Sequence, residues 1–252
     1  MIVPGLVSVT FRDRGVPEII DLAGECGLRA VEWGGDVHVP AGDFDAAERT
    51  RARCAAAGIA VAAYGSYYRA GESDPAELGP VLDTAALLGA PLVRVWAGRL
   101  GSAESSPHHR ALVTARLRAA GDAAQERGLR LALEYHVDTL TDTLESTQRL
   151  LRELHHPAVV PYWQPRGEQP VAPAMTQIRA LLPEVPSVHV FSWGPPGPAE
   201  RLPLADRGDL WQPVLAELAA DGLTRHALLE FVAGDDPDAL RRDAATLLSW
   251  ID

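Results

Sequence analysis

PLVRVWAG at residues 91–98, ALVTARLRAAGDAAQERG at 111–128 and LRLALEYH at 129–136 form a strand–helix–strand pattern in the sequence. The two outer segments are short apolar runs with β-branched or aromatic residues, which are typical of buried strands. The middle segment places apolar residues at helical spacing and ends at a glycine, the usual residue after a helix. This stretch therefore predicts one unit of a parallel sheet whose strands are joined by helices.

The same pattern recurs along the whole chain, and eight units can be counted. The predicted strands are 5–11, 28–33, 59–65, 91–98, 129–136, 158–165, 187–193 and 226–234. The predicted helices are 17–27, 44–58, 75–90, 111–128, 143–154, 175–182, 211–222 and 236–250. Eight units in 252 residues give about 31 residues each, which fits a (β/α)₈ TIM barrel better than a doubly wound sheet. We therefore expect a single barrel domain over residues 1–252, with functional groups at the carboxyl ends of the strands.

The composition excludes several classes of function. Charged residues make up 23% of the chain and apolar residues 47%, as in ordinary globular proteins. All 23 basic residues are arginines, so chemistry that needs a lysine, such as Schiff-base, pyridoxal phosphate or Walker-type nucleotide sites, is absent. The net charge of −11 disfavours nucleic acid as a partner. Cys26 and Cys54 lie in predicted helices without the spacing of a metal or redox site, so we expect both to be buried.

The beginning of the chain, MIVPGLVSVTFRDRG, has no basic leader before a long apolar run. No stretch approaches the roughly 18 consecutive apolar residues of a membrane span. We therefore expect a cytoplasmic protein that does not bind membranes.

Ionisable and amide side chains lie at the predicted carboxyl ends of four consecutive strands. Glu134 and Glu230 interrupt apolar runs, and burying two carboxylates costs free energy unless something compensates their charge. A divalent cation would compensate both, with Gln164 and His189 supplying ligands from the two strands between them. Oxygen and imidazole ligands suit Mn²⁺, Mg²⁺ or Co²⁺, with Zn²⁺ as an alternative. For either glutamate alone, an ion pair with an arginine is the competing interpretation. The strand ends as a whole carry Glu32, Tyr64, Trp96, Glu134, His136, Gln164, His189 and Glu230.

At these positions the chain resembles the xylose isomerase-like (β/α)₈ barrels, which include sugar phosphate isomerases and epimerases, ketose 3-epimerases, inosose dehydratases and endonuclease IV. The supporting segments are VEWGGDVHVP (31–40), YGSYYRAG (64–71), VRVWAG (93–98) and EYHVDTLTDT (134–143). The resemblance implies metal ligands at Glu134, Gln164, His189 and Glu230. Gln164 stands where the family has aspartate, and Gly167 where it has histidine. The ligand charge falls from −3 to −2, so we expect weaker metal binding.

The resemblance implies a divalent-metal isomerase or epimerase acting on a sugar or polyol, phosphorylated or not. Glu134 and Glu230 would exchange a proton at the carbon next to a carbonyl through an enediolate. A lyase that expels a β-hydroxyl on the same scaffold is the first alternative. A non-catalytic barrel that binds a small molecule is the second, because Gln164 and Gly167 replace charged or basic family residues. Too few metal ligands and the negative net charge argue against an endonuclease.

Further side chains are predicted to contact a small, carbohydrate-like substrate. His136 follows Glu134 by two residues and would face the same side of its strand. Arg201 resembles an arginine that contacts substrate oxygens in related epimerases, and a solvated loop charge is the alternative. Aromatic rings suit the C–H faces of sugars, although core packing accounts for at least two of them. The aromatic candidates are Trp33, Tyr64, Trp96, Trp163 and Trp193, and His38 and Arg94 are further candidates. The family resemblance also allows a homo-oligomer.

Overall fold

A computed structural model describes residues 1–195 and 197–251 of the chain. Its eight strands are parallel and form the nearly closed barrel of the (β/α)₈ TIM fold, in the order β6-β5-β4-β3-β2-β1-β8-β7. An isolated parallel bridge between Trp163 and Val188 continues the pairing from β6 to β7. The strands are β1 Ile2–Val7, β2 Ala30–Gly34, β3 Ala60–Arg69, β4 Leu92–Trp96, β5 Arg130–Glu134, β6 Val159–Tyr162, β7 Ser187–Val190 and β8 Arg225–Leu229.

A helix follows each strand, as the sequence pattern predicts. Local signals set several of the helix ends. The Ser106 side chain accepts a hydrogen bond from the backbone of His109 at the start of α4, and Thr143 caps α5 in the same way. Gly89 ends α3 in the left-handed conformation, which a glycine adopts at little cost. The helices are α1 Val16–Glu25, α2 Phe44–Ala57, α3 Leu78–Leu88, α4 Pro107–Glu126, α5 Leu144–Leu154, α6 Val171–Leu181, α7 Gly208–Ala219 and α8 Pro237–Ile251.

The first strand lies earlier in the chain than predicted. Residues 5–11 were expected to be extended, but β1 covers Ile2–Val7 and residues Ser8–Phe11 form a 3₁₀ turn. The reason is the pairing with β8, whose register begins at Ile2 opposite Arg225. Gly5 is required within this strand, because a Cβ there would lie 2.5 Å from the carbonyl oxygen of Ala30. Partner strands, rather than local hydrophobicity, therefore set these bounds.

Strands at the functional edge also differ from the predicted lengths. β3 continues to Arg69, four residues beyond the predicted end at residue 65. β5 to β8 end at residues 134, 162, 190 and 229, earlier than the predicted 136, 165, 193 and 234. The apolar runs continue into the loops that follow these strands, so hydrophobicity alone overestimates the lengths of the last four.

The chain divides into two compact units. The first unit consists of Met1–Trp33, Ala52–Ala62 and Trp163–Asp252. In its core the rings of Trp163 and Trp211 meet edge to face, 6.0 Å between centroids, and the indole N–H of Trp211 donates to the carbonyl of Phe191. Cys26 and Cys54 are both buried in this unit, as expected. Burial raises the pKa of the Cys54 thiol to about 11.

The second unit consists of Gly34–Arg51 and Ala63–Tyr162. It contains β4, β5 and β6, with β5 paired to both neighbours in register. The Tyr64 hydroxyl, fully buried, donates to the carbonyl of Val39 and ties the loop after β2 to β3. In the part of the chain that the structure describes, no helix has the length and apolar character to cross a membrane.

Candidate functional site

Three polar side chains of the first unit meet around a fourth, that of His189. His189 Nδ1 lies 3.0 Å from Oε1 of Gln164 and 3.5 Å from Oε2 of Glu230. His189 Nε2 lies 3.2 Å from Oε2 of Glu32. Glu32 and His189 are fully buried, and Gln164 and Glu230 are each 7% exposed. We call these four residues the His189 cluster.

The parallel strands account for this convergence. Gln164 follows the end of β6 by two residues, and Glu230 comes directly after β8. Backbone hydrogen bonds hold both segments beside β7, since His189 N donates to Trp163 O and Glu230 N donates to Val190 O. The cluster therefore forms at the carboxyl ends of the strands, the face of the barrel that carries function.

The His189 cluster contains two buried carboxylates whose charge must be compensated. Two carboxylates out of water need compensation, and the imidazole N–H at Nε2 satisfies Glu32. With Nε2 as donor, the lone pair of a neutral His189 lies on Nδ1 and faces the oxygens of Gln164 and Glu230. The lone pair on Nδ1 and these oxygens repel one another. A positive charge between them, either a second proton on His189 or a bound cation, removes that repulsion.

The donor atoms of the His189 cluster are of kinds that bind divalent cations. One imidazole nitrogen, one amide oxygen and one carboxylate oxygen converge, which suits ions such as Mg²⁺ or Mn²⁺. The bond from Nε2 to Glu32 is the type of outer interaction that orients a metal-binding histidine. Among residues 1–195 and 197–251, no group of three or more His, Cys, Asp and Glu side chains is arranged to hold a metal ion. A cation held at this cluster would therefore need the amide oxygen of Gln164 as a ligand.

Glu134, the fourth predicted ligand, belongs to the second unit. It is the last residue of β5, and its Oε2 accepts a hydrogen bond from Arg94 Nη1 at 2.6 Å. Both side chains are almost fully buried. The ion pair with an arginine, the competing interpretation in the sequence, is therefore present at this position.

His136 lies beyond the end of β5, so the alternation of side chains along a strand does not apply to it. It is half-buried, and its Nδ1 lies 2.6 Å from the carbonyl oxygen of Val137. Its ring contacts Trp96 edge to face, with centroids 6.1 Å apart. The Trp96 ring also lies 5.4 Å from that of Tyr67, so the predicted contact residues Trp96 and His136 form one aromatic group with Tyr67 in the second unit.

Several predicted contact residues are packed in the core. Trp33, Tyr64 and Trp163 are fully buried, and His38 is 7% exposed. The indole N–H of Trp163 donates to Gln177 Oε1, and the burial of Tyr64 raises the pKa of its hydroxyl. The packing interpretation therefore accounts for Trp33, Tyr64 and Trp163.

Arg201 and Trp193 belong to an aromatic group of the first unit. The Arg201 guanidinium lies over the ring of Phe231, 4.7 Å from its centroid, and forms an ion pair with Asp235. Trp193 stacks on Phe191 with centroids 3.7 Å apart. Arg201 is thus a partnered, half-buried cation rather than a freely solvated loop charge.

The structure adds residues that the predicted site omitted. Glu32 occurs at a strand end in the sequence, but the ligand set was restricted to the last four strands. Glu32 could have been found by the same signal as Glu134, because it is also a carboxylate inside an apolar strand, AVEWG. Arg69 carries no such signal, and the sequence does not show that the candidate Arg94 pairs with Glu134.

A family model described as xylose isomerase-like TIM barrel matches residues 20–250 of this chain. A 3-dehydroshikimate dehydratase of Bacillus anthracis is 40% identical over 65 residues, which cover 26% of this chain and 23% of that protein. The chain thus matches about a quarter of the length of that relative.

Solved structures share the fold over nearly the whole chain. A probable 3-DHS dehydratase of B. anthracis, involved in petrobactin synthesis, superposes with a TM-score of 0.80 at 19% identity, covering 98% of this chain and 99% of the other. A 3-keto-D-glucoside 4-epimerase of E. coli gives a TM-score of 0.73 at 18% identity, covering 100% and 99%. At these identities the likeness is one of fold.

Proposed function

Since this chain belongs to the xylose isomerase-like TIM barrel family, we propose that it is an isomerase or epimerase of a small sugar or polyol. The reaction is proton transfer at the carbon next to a carbonyl. The observation that carries the proposal is the His189 cluster, in which buried carboxylates, an imidazole and an amide converge at the carboxyl ends of the strands. Such groups are costly to bury, and a functional role accounts for them better than packing does.

Glu230 is the proposed base within the cluster. Its carboxylate is 7% exposed and lies 3.5 Å from His189 Nδ1, so little water competes for it. A carboxylate in such a setting can accept a proton from carbon and return it. Glu32 holds the imidazole in one orientation through Nε2, which directs Nδ1 of His189 at Gln164 and Glu230.

Gln164 Oε1, His189 Nδ1 and Glu230 Oε2 are the proposed ligands of a divalent cation, with Mn²⁺, Mg²⁺ or Co²⁺ preferred and Zn²⁺ as an alternative. When bound, such an ion supplies Lewis-acid polarisation of a substrate oxygen. Glu134 stays the predicted fourth ligand and second proton-transfer group. Its ion pair with Arg94 fixes the position of its carboxylate, which proton transfer in a defined direction requires.

Dehydration is the second candidate. It begins with the same proton removal and ends with loss of a β-hydroxyl instead of return of the proton. It is favoured by the relative that shares 40% identity over 65 residues, a 3-dehydroshikimate dehydratase. The two outcomes differ in their products, since only dehydration creates a new carbon–carbon double bond.

Solvent exchange tests the proposal across a range of candidate substrates. The protein is incubated with Mn²⁺ and a panel of ketoses and keto-polyols in D₂O, and ¹H NMR follows loss of the C–H signal beside the carbonyl. Ultraviolet absorbance in parallel detects a conjugated dehydration product. We expect exchange with at least one compound, reduced at least about 100-fold in Glu230→Gln.

The matched control is Glu126→Gln, which changes an exposed glutamate at the end of α4. It should exchange at the wild-type rate. Absence of both exchange and absorbance change across the panel, or equal rates for wild type and Glu230→Gln, would overturn the proposal.

A further inference from the structure

Two arginines of the second unit lie against one indole. The Arg69 guanidinium carbon is 4.3 Å from the centroid of the Trp96 ring, and that of Arg94 is 4.9 Å from it. Arg69 is the last residue of β3 and Trp96 is the last residue of β4. We call Arg69, Arg94, Trp96 and Glu134 the Trp96 cluster. It lies at the strand ends where barrel enzymes bind their substrates.

The two guanidinium groups differ in charge compensation. Arg94 is paired with the Glu134 carboxylate at 2.6 Å. Arg69 donates from Nη1 to the carbonyl of Gly98 at 3.2 Å, and within the described ranges 1–195 and 197–251 no carboxylate lies within ion-pair distance of it. The chain has 34 acidic residues for 23 arginines, so a half-buried arginine without a carboxylate is unexpected.

We propose that Arg69 binds the carboxylate group of a small organic acid. A guanidinium presents parallel N–H donors in a plane, which match the two oxygens of a carboxylate. Stacking on Trp96 restricts the guanidinium plane, so less rotamer freedom is lost on binding. The ligand class is therefore a small organic acid that presents a free carboxylate.

Charges of both signs act on Arg69. Burial is the main cause that lowers the pKa of Arg69, followed by the charge of Arg99, so a bound anion would relieve an unfavourable environment. The negative charges of Glu134 and Asp138 also act on Arg69. Because Coulomb energy scales with charge, these carboxylates repel a dianion about twice as strongly as a monoanion, and Arg94 and Arg99 attract it about twice as strongly. Binding of glycerate against phosphate therefore decides between the two anions.

Direct binding tests this site separately from turnover, so its outcome does not depend on the proposed function. The probes are D-glycerate, with glycerol as the neutral analogue and inorganic phosphate as the dianion. The reporter is the indole N–H resonance of Trp96 in ¹⁵N-labelled protein, identified by its loss in Trp96→Phe. The Trp96 Nε1 atom is buried without a hydrogen-bond partner in the described part of the chain, so nearby binding should shift its signal.

We expect D-glycerate to shift the Trp96 signal to saturation, and glycerol to leave it unchanged. Arg69→Gln should weaken glycerate binding at least about tenfold, and Arg69→Lys should bind with intermediate affinity. Arg179→Gln, which changes an exposed arginine, is the control and should bind like wild type. Thermal melts and dispersed spectra establish that each variant is folded.

Three results would overturn the carboxylate site: equal binding of glycerate and glycerol, preference for phosphate, or wild-type affinity in folded Arg69→Gln. The site and the proposed function can also be separated. If glycerate binding depends on Arg69 but the protein turns over no acidic or neutral substrate, the carboxylate site is supported and the proposed function is overturned.

Discussion

Replacement of Arg94 by methionine tests whether the buried ion pair holds Glu134 in place. The two side chains are only 4% and 6% exposed, and Nη1 lies 2.6 Å from Oε2. Methionine fills a similar volume but leaves a carboxylate in the interior without its cation. Breaking a buried pair in this way costs about 3–5 kcal/mol. At about 2–4 °C per kcal/mol for a domain of this size, the melting temperature should fall by about 6–20 °C.

The double variant Arg94→Met/Glu134→Gln separates the ion pair from other contacts of Arg94. It removes the stranded charge, so about 1–3 kcal/mol of the loss should be recovered. Urea unfolding followed by circular dichroism measures the free energy of unfolding. Arg149→Met, which breaks an exposed pair with Glu153, is the control and should cost less than about 1 kcal/mol. A loss below about 1 kcal/mol for Arg94→Met, or strictly additive effects, would refute a buried, coupled ion pair.

Three further predictions concern other buried groups. Glu32→Gln should slow deuterium exchange into substrate about 10–100-fold, because the neutral amide no longer fixes the imidazole tautomer; a wild-type rate would contradict this. Cys54, with a pKa of about 11, should react with a disulfide reagent at pH 8 at least about 200-fold slower than a free cysteine. Buried Cys26, whose pKa is also raised, should react slowly as well. Rapid labelling of either cysteine in the native protein would contradict the burial. Arg225→Met should lower the free energy of unfolding, measured by urea denaturation, by about 3–5 kcal/mol. The reason is that the buried guanidinium donates hydrogen bonds to three backbone carbonyls and one carboxylate. A change below about 1 kcal/mol would contradict a stabilising role of these hydrogen bonds.

The alternation of strands and helices was predictable from the sequence because it is a local property. Each strand is a short apolar run and each helix has a periodic apolar face, so all eight units and the barrel class followed from pattern alone. The bounds of β1 were not predictable, because its register depends on β8, more than 200 residues away in the chain. The observed bounds of β1 differ from the predicted ones because strand pairing joins residues that are far apart in the chain.

The candidate site was predictable in part for the same reason. Gln164, His189 and Glu230 fall at the ends of predicted strands, and parallel strands bring such ends to one edge. Glu32 carries the same local signal but lies 157 residues from His189, so its hydrogen bond emerges only in the folded chain. The pairing of Glu134 with Arg94 was also hidden, since the sequence offers 23 arginines and does not select one.

Divalent-cation binding at the His189 cluster tests the account most directly. Electron paramagnetic resonance of free Mn²⁺ is followed during titration of untagged wild type, His189→Ala and His108→Ala, the last replacing an exposed histidine as control. We predict about one Mn²⁺ bound per chain in wild type and in His108→Ala, and none at the same concentrations in folded His189→Ala. Equal Mn²⁺ binding by wild type and His189→Ala, or no binding by wild type, would contradict a cation site in this cluster.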